Sequence, residues 1–212
     1  MNCFVITLFL LCIGGTIHPF TVVLDPSFSK DQKISEETVT YAMELKHHLQ
    51  AELPSLKIAL SRSHEQKIEQ QDSASFANRL QADLFIHLSL YVEKENNRSL
   101  SIYSFAYDPI TDFWPTKPTP LSFIPVDRAH IFSARTSKKE AATLTSLLSK
   151  SLHSSFALHM PICLPYKPLK GILAPALGLE VMLTHAKEWR LLLPNLIPSL
   201  IEIIKEMEAD ES

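Results

Sequence analysis

Ala77-Asn-Arg-Leu-Gln-Ala-Asp-Leu-Phe-Ile-His-Leu-Ser-Leu-Tyr91 changes its pattern midway. Asp83 to Val92 (DLFIHLSLYV) is almost continuously apolar, interrupted only by His87 and Ser89 at alternate positions, and reads as a buried strand. His87 and Ser89 then point to the same sheet face, about 6.6 Å apart along the strand. Ser73 to Gln81, just before it, reads as a short helix.

Outward from this unit the alternation continues. Phe20 to Leu24 (FTVVL), closed by Asp25-Pro26, predicts a first strand. Ser35 to Leu53 predicts a helix with Val39, Ala42, Leu45 and Leu49 along one stripe, ended by Pro54, and Leu56 to Ser61 a second strand. Strands separated by helices imply right-handed crossovers and a largely parallel sheet. Asn96-Asn97 is a turn signal before Ser99 to Tyr107, so an antiparallel pair is expected there. Asp108 to Pro125 holds five prolines and reads as a long irregular connection. Ser137 and Glu140 have the spacing of a capping box opening a helix. Leu173 to Leu183 reads as the last core strand, and Pro198 as the start of a C-terminal amphipathic helix. The expected fold is a single three-layer α/β domain, a mixed, mostly parallel sheet flanked by helices.

Composition agrees with one domain: 212 residues, 46% of them hydrophobic, can bury one substantial core. Twenty basic and 23 acidic residues give a net charge of -3 with no run of like charge, which argues against a nucleic-acid partner or a polybasic membrane surface. Cys3 to Gly15 is an apolar run with the length of a signal-peptide h-region, short for a bilayer-spanning helix. Residues 1–18 are read as an export signal, a retained anchor and a buried first strand being the alternatives. Cleavage would leave Cys163 as the one thiol, expected to be buried and structural.

Four segments, in order, carry a resemblance. Val22-Val-Leu-Asp-Pro26 matches a VVLDPGHGG motif up to the proline. Leu60-Ser-Arg62-Ser-His-Glu65 resembles LTRxxD, Ala77 to Tyr91 resembles ANRLKADLFISIHAN, and Leu169-Lys-Gly171 with Pro175 to His185 resembles LRGxxxPAVLVELGFLSN. These are motifs of the zinc-dependent N-acetylmuramoyl-L-alanine amidases, which the chain resembles over nearly all of residues 19–212.

That resemblance implies one Zn²⁺ held by His, Glu and His, with a further Glu as acid/base; the metal lowers the pKa of its water from about 15.7 to about 7. Here Phe28, Ile34 and Ser89 occupy the three ligand positions, and Glu180 alone has the family's residue type at a catalytic position. The expectation is therefore an exported protein of the periplasm or cell envelope, without zinc or other cofactor and more a pseudoenzyme than an enzyme. Glu180 is the residual catalytic candidate, and Arg62 and His87 are candidate substrate contacts. The expected partner is peptidoglycan or a cell-envelope protein, with no nucleic acid and no membrane after signal cleavage. Two alternatives stand beside it: an active amidase with an atypical site built on Glu180 and His87, and an interaction protein whose groove is plugged by Phe28 and Ile34.

Overall fold

The computed structural model describes residues 19–63, 70–93, 97–105, 130–152 and 155–211. The segment expected to be an export signal (residues 1–18) and the proline-rich segment (108–125) lie outside the described residues. Among the described residues the strands are β1 (Thr21–Pro26), β2 (Lys57–Leu60), β3 (Leu84–Val92), β4 (Ser99–Phe105), β5 (Ala157–Leu158), β6 (Ile162–Leu164) and β7 (Ala176–Leu183). The α-helices that accompany them among the described residues are α1 (Gln32–Glu52), α2 (Gln70–Arg79), α3 (Ala134–Ser151) and α4 (Leu193–Glu211). They form one mixed sheet in the order β2-β1-β3-β7-β4-β5, with β6 also on β4. The first four strands of that order are mutually parallel, and β4 runs antiparallel to β7.

β4 therefore runs opposite to β3, as expected, but the expected β3–β4 pair does not form: β7 lies between them. The reason is burial. A strand reading Ala-Leu-Gly-Leu-Glu-Val-Met-Leu hides Leu177, Leu179, Val181 and Leu183 completely only with neighbours on both sides.

Strand parity divides the core. Val22 and Leu24, Leu84 to Leu90 at even positions, and Leu177 to Leu183 at odd positions face α1, α3 and α4 in the larger cluster. The opposite face is apolar only at the N-terminal ends of the parallel strands, where Val23, Phe85 and Ala176 pack with Ala74 and Ala77 of α2 and with Leu169 and Ile172. Further along the same face the sequence turns polar: Asp25, His87, Ser89 and Glu180.

Two helix starts differ from expectation. Ser137 is inside α3, where its hydroxyl donates to the Ser133 carbonyl at 2.9 Å and accepts the Ala176 amide at 2.9 Å. It ties α3 to the first residue of β7 rather than capping a helix, and Glu140 is buried instead of reaching back to a cap. The last helix begins at Leu193, with Pro198 inside it. Pro194 is tolerated in the first turn, where amides lack partners anyway, so the helix begins before the second proline.

α1 starts at Asp31, whose Oδ1 accepts the Lys33 amide at 2.9 Å and the Ile34 amide at 3.3 Å. Cys163, expected in the core, is exposed on the short β6 strand. Among the described residues no helix is long and apolar enough to cross a membrane.

Candidate functional site

The parallel strands place Asp25 of β1 directly beside His87 of β3. Both are buried, and His87 Nδ1 lies 2.7 Å from Asp25 Oδ2. The other carboxylate oxygen, Oδ1, accepts hydroxyls from Ser73 of α2 at 2.8 Å and from Ser61. Burial by itself would raise the Asp25 pKa; the hydrogen bond and charge of His87 and the two serine hydroxyls outweigh it, and the carboxyl sits below its usual range. Asp25 is thus an ionised carboxylate, His87 carries its proton on Nδ1, and Nε2 is the nitrogen left for the groove.

One step along the same face, the hydroxyls of Ser27 and Ser89 meet at 3.2 Å. Glu180 is the β7 neighbour of Ser89, and its Oε1 accepts the Tyr103 hydroxyl at 3.3 Å. Tyr166 stacks on Tyr103 with ring centroids 4.6 Å apart and stands edge-on to His87 at 5.9 Å. The β7 residue beneath it is Gly178; a Cβ there would lie 2.7 Å from the Tyr166 ring, so only glycine admits this wall. Burial and the Glu180 charge push the Tyr166 hydroxyl well above its ordinary value and raise that of Tyr103 less.

These residues line or border an open groove of about 630 Å³ at the C-terminal ends of β1 and β3. Arg62 and His87 both line it; Glu180 stands outside the lining, one strand beyond Ser89. Arg62 is 4% exposed and holds the loop after β1: Nε donates to the Pro26 carbonyl at 2.6 Å, and Nη2 to the Ser27 carbonyl and to Ser35 Oγ at 3.2 Å.

Phe28 and Ile34 do not plug the groove. Phe28 is 50% exposed on the rim, 5.9 Å from the Arg62 guanidinium, and Ile34, in the first turn of α1, packs into the core. The sequence reading gave no role to Asp25, Ser61, Ser73 or Tyr166. Asp25 carried a signal, a carboxylate at the end of a buried strand; the two serines carried none.

The residues do not fit a zinc ion. At the positions that the motif resemblance aligns with its ligands stand a phenyl ring, an alkyl chain packed in the core, and a hydroxyl engaged with Ser27. None is the imidazole, thiolate or carboxylate that zinc requires. His87 keeps Nε2 toward the groove and Glu180 is the β7 neighbour of Ser89, but among the described residues no three His, Cys, Asp or Glu side chains come together around a point that could hold a metal.

Neither a protein-family model nor a curated protein sequence matches the chain. Solved structures do. The catalytic domain of CwlV, an N-acetylmuramoyl-L-alanine amidase from Bacillus (Paenibacillus) polymyxa var. colistinus, aligns with a TM-score of 0.57 at 17% identity, over 88% of this chain and 97% of that one. An N-acetylmuramoyl-L-alanine amidase from Clostridium difficile 630 gives 0.58 at 16% identity, over 91% and 98%. Ami1 from Mycobacterium smegmatis gives 0.57 at 13%, over 92% and 99%. The chain has the fold of N-acetylmuramoyl-L-alanine amidase catalytic domains, as its four motifs imply.

Proposed function

We propose that this chain is an exported, amidase-like protein of the bacterial cell envelope that binds peptidoglycan, directly or together with an envelope protein, and has lost the zinc reaction. The observation that carries the reading is an open groove in the amidase fold, taken with the motif resemblance that aligns Phe28, Ile34 and Ser89 with the family's ligands. A water that no metal activates is a poor nucleophile toward an amide at neutral pH. The groove itself persists, and a cleft of this size suits a ligand. Arg62 would shape it from beneath, and His87 would meet the ligand through Nε2.

The test is to purify the chain without its first 18 residues, measure its zinc, and incubate it with purified sacculi. Retention on the sacculi, no stoichiometric zinc and no released stem peptide are expected. One tightly held zinc per chain, or peptide release that stops on chelation, would overturn the reading.

A second reading, metal-free hydrolysis, has one feature behind it: Asp25 fixes His87 as a carboxylate fixes a catalytic imidazole. Stem-peptide release that survives chelation and disappears in His87→Ala would favour it.

A further inference from the structure

The groove combines three features outside the Asp25–His87 pair. Phe28 and Tyr91, each 50% exposed, and Tyr166 give it aromatic surface. Ser27 and Ser89 give it hydroxyls; two hydroxyls bonded to each other use one hydrogen between them and leave one to donate outward. Its charge is unbalanced. Lys30, Arg62 and Lys167 line it against a single lining carboxylate, Asp25, which is already saturated by His87 and two serines. Among the described residues no carboxylate forms a salt bridge with Arg62, although the chain as a whole is acidic at -3. Glu180, the β7 neighbour of Ser89, is outside the lining; Lys30 brings positive charge from the loop after β1, and Lys167, next to Tyr166, brings it from the turn packed against β7.

We infer that the groove takes an acidic sugar, a glycan whose N-acetylmuramic acid residues carry a free lactyl carboxylate, with its ring on the aromatic rim and its carboxylate toward Lys30 and Lys167. Aromatic faces accept the C–H side of a pyranose, and serine hydroxyls match its polar edge. In intact peptidoglycan the lactyl carboxyl is tied up as an amide to L-alanine and carries no charge. Once the peptide has been removed it is an anion. The reaction that supplies this ligand is therefore amide cleavage by another enzyme, and this chain would recognise the product. An extended peptide is the poorer fit: β1 and β3, which form the floor, are paired on both sides, so no strand edge is open to a peptide backbone.

The inference rests on the peptidoglycan-binding reading, and four calorimetric or pull-down probes separate the two: peptide-free glycan strands, a neutral N-acetylglucosamine oligomer of equal length, the free stem peptide, and whole sacculi. Peptide-free glycan should bind about tenfold more tightly than the neutral oligomer at low salt, and the gap should narrow as salt screens the lysines. The double variant Lys30→Gln, Lys167→Gln should weaken acidic glycan about fivefold and leave the neutral oligomer unchanged. Phe28→Ala should weaken both sugars about fivefold. All three side chains are exposed, so the variants should fold. Equal affinity for acidic and neutral glycan, binding of stem peptide alone, or retention on sacculi with no soluble glycan bound would overturn the inference and leave the broader reading standing. Acidic glycan bound with weak retention on peptide-bearing sacculi would support the inference and narrow the broader reading to peptide-free strands, and no binding to any probe would remove both.

Discussion

Replacing Asp25 by Asn tests whether the buried network holds the groove together. The carboxylate accepts from His87 at 2.7 Å, from Ser73 at 2.8 Å and from Ser61, all away from solvent. Asparagine keeps the shape and one acceptor oxygen for the two serines, but turns an NH₂ toward His87 and removes the charge. Truncating one partner of a buried ion pair costs about 3 to 5 kcal/mol. The amide can still meet an imidazole whose tautomer flips, so a loss of about 2 kcal/mol is expected, close to the worth of one charge-assisted hydrogen bond. For a domain of this length that lowers Tm by about 6 °C.

The pH dependence follows from the depressed Asp25 pKa. Its stabilisation is fully present above the ordinary value of 3.8 and is lost as pH falls through the lower folded value. The difference between parent and variant should therefore be constant from neutrality down to about pH 4 and shrink in stronger acid. Urea titrations followed by tryptophan fluorescence across pH would measure it. A variant within about 0.5 kcal/mol of the parent at pH 7 would refute the argument, as would a difference that did not shrink in acid.

Tyr41→Phe should leave stability unchanged or raise it by about 1 kcal/mol in urea titration, because the hydroxyl is buried without a partner among the described residues while its ring packs 5.2 Å from Trp189. Glu140→Gln should be more stable than the parent at neutral pH. Burial raises the Glu140 pKa against the opposing pull of Lys139, so the unfolded chain ionises first and parental stability falls as pH climbs past 4.5. Melting curves of the two proteins should converge below that pH. Ile34→Glu alone should lose about 2 kcal/mol or more by putting a carboxylate into the core, whereas Phe28→His, at a half-exposed site, should stay within about 0.5 kcal/mol in the same denaturation assay.

Local pattern in the sequence was enough for most of the elements. The apolar run of Asp83 to Val92 and the stripe of α1 can bury their surface in only one regular conformation each, so β3 and α1 were legible within a few residues. Their alternation made the parallel sheet legible, and the four motifs gave the fold. Neighbour relations between distant segments were not legible. Whether β4 pairs with β3 or with β7 depends on which strand has both faces to bury, a property of the assembled sheet. Ser137 looked like a cap and became a tie to β7, because an isolated hydroxyl takes whichever amide the fold brings near it. Ile34 and Phe28 stand six positions apart, yet one is in the core and the other on the rim of the groove, which depends on where α1 meets the sheet. Asp25, Ser61, Ser73 and His87 come from β1, from the residue after β2, from α2 and from β3, and their hydrogen bonds exist only once those four segments are packed.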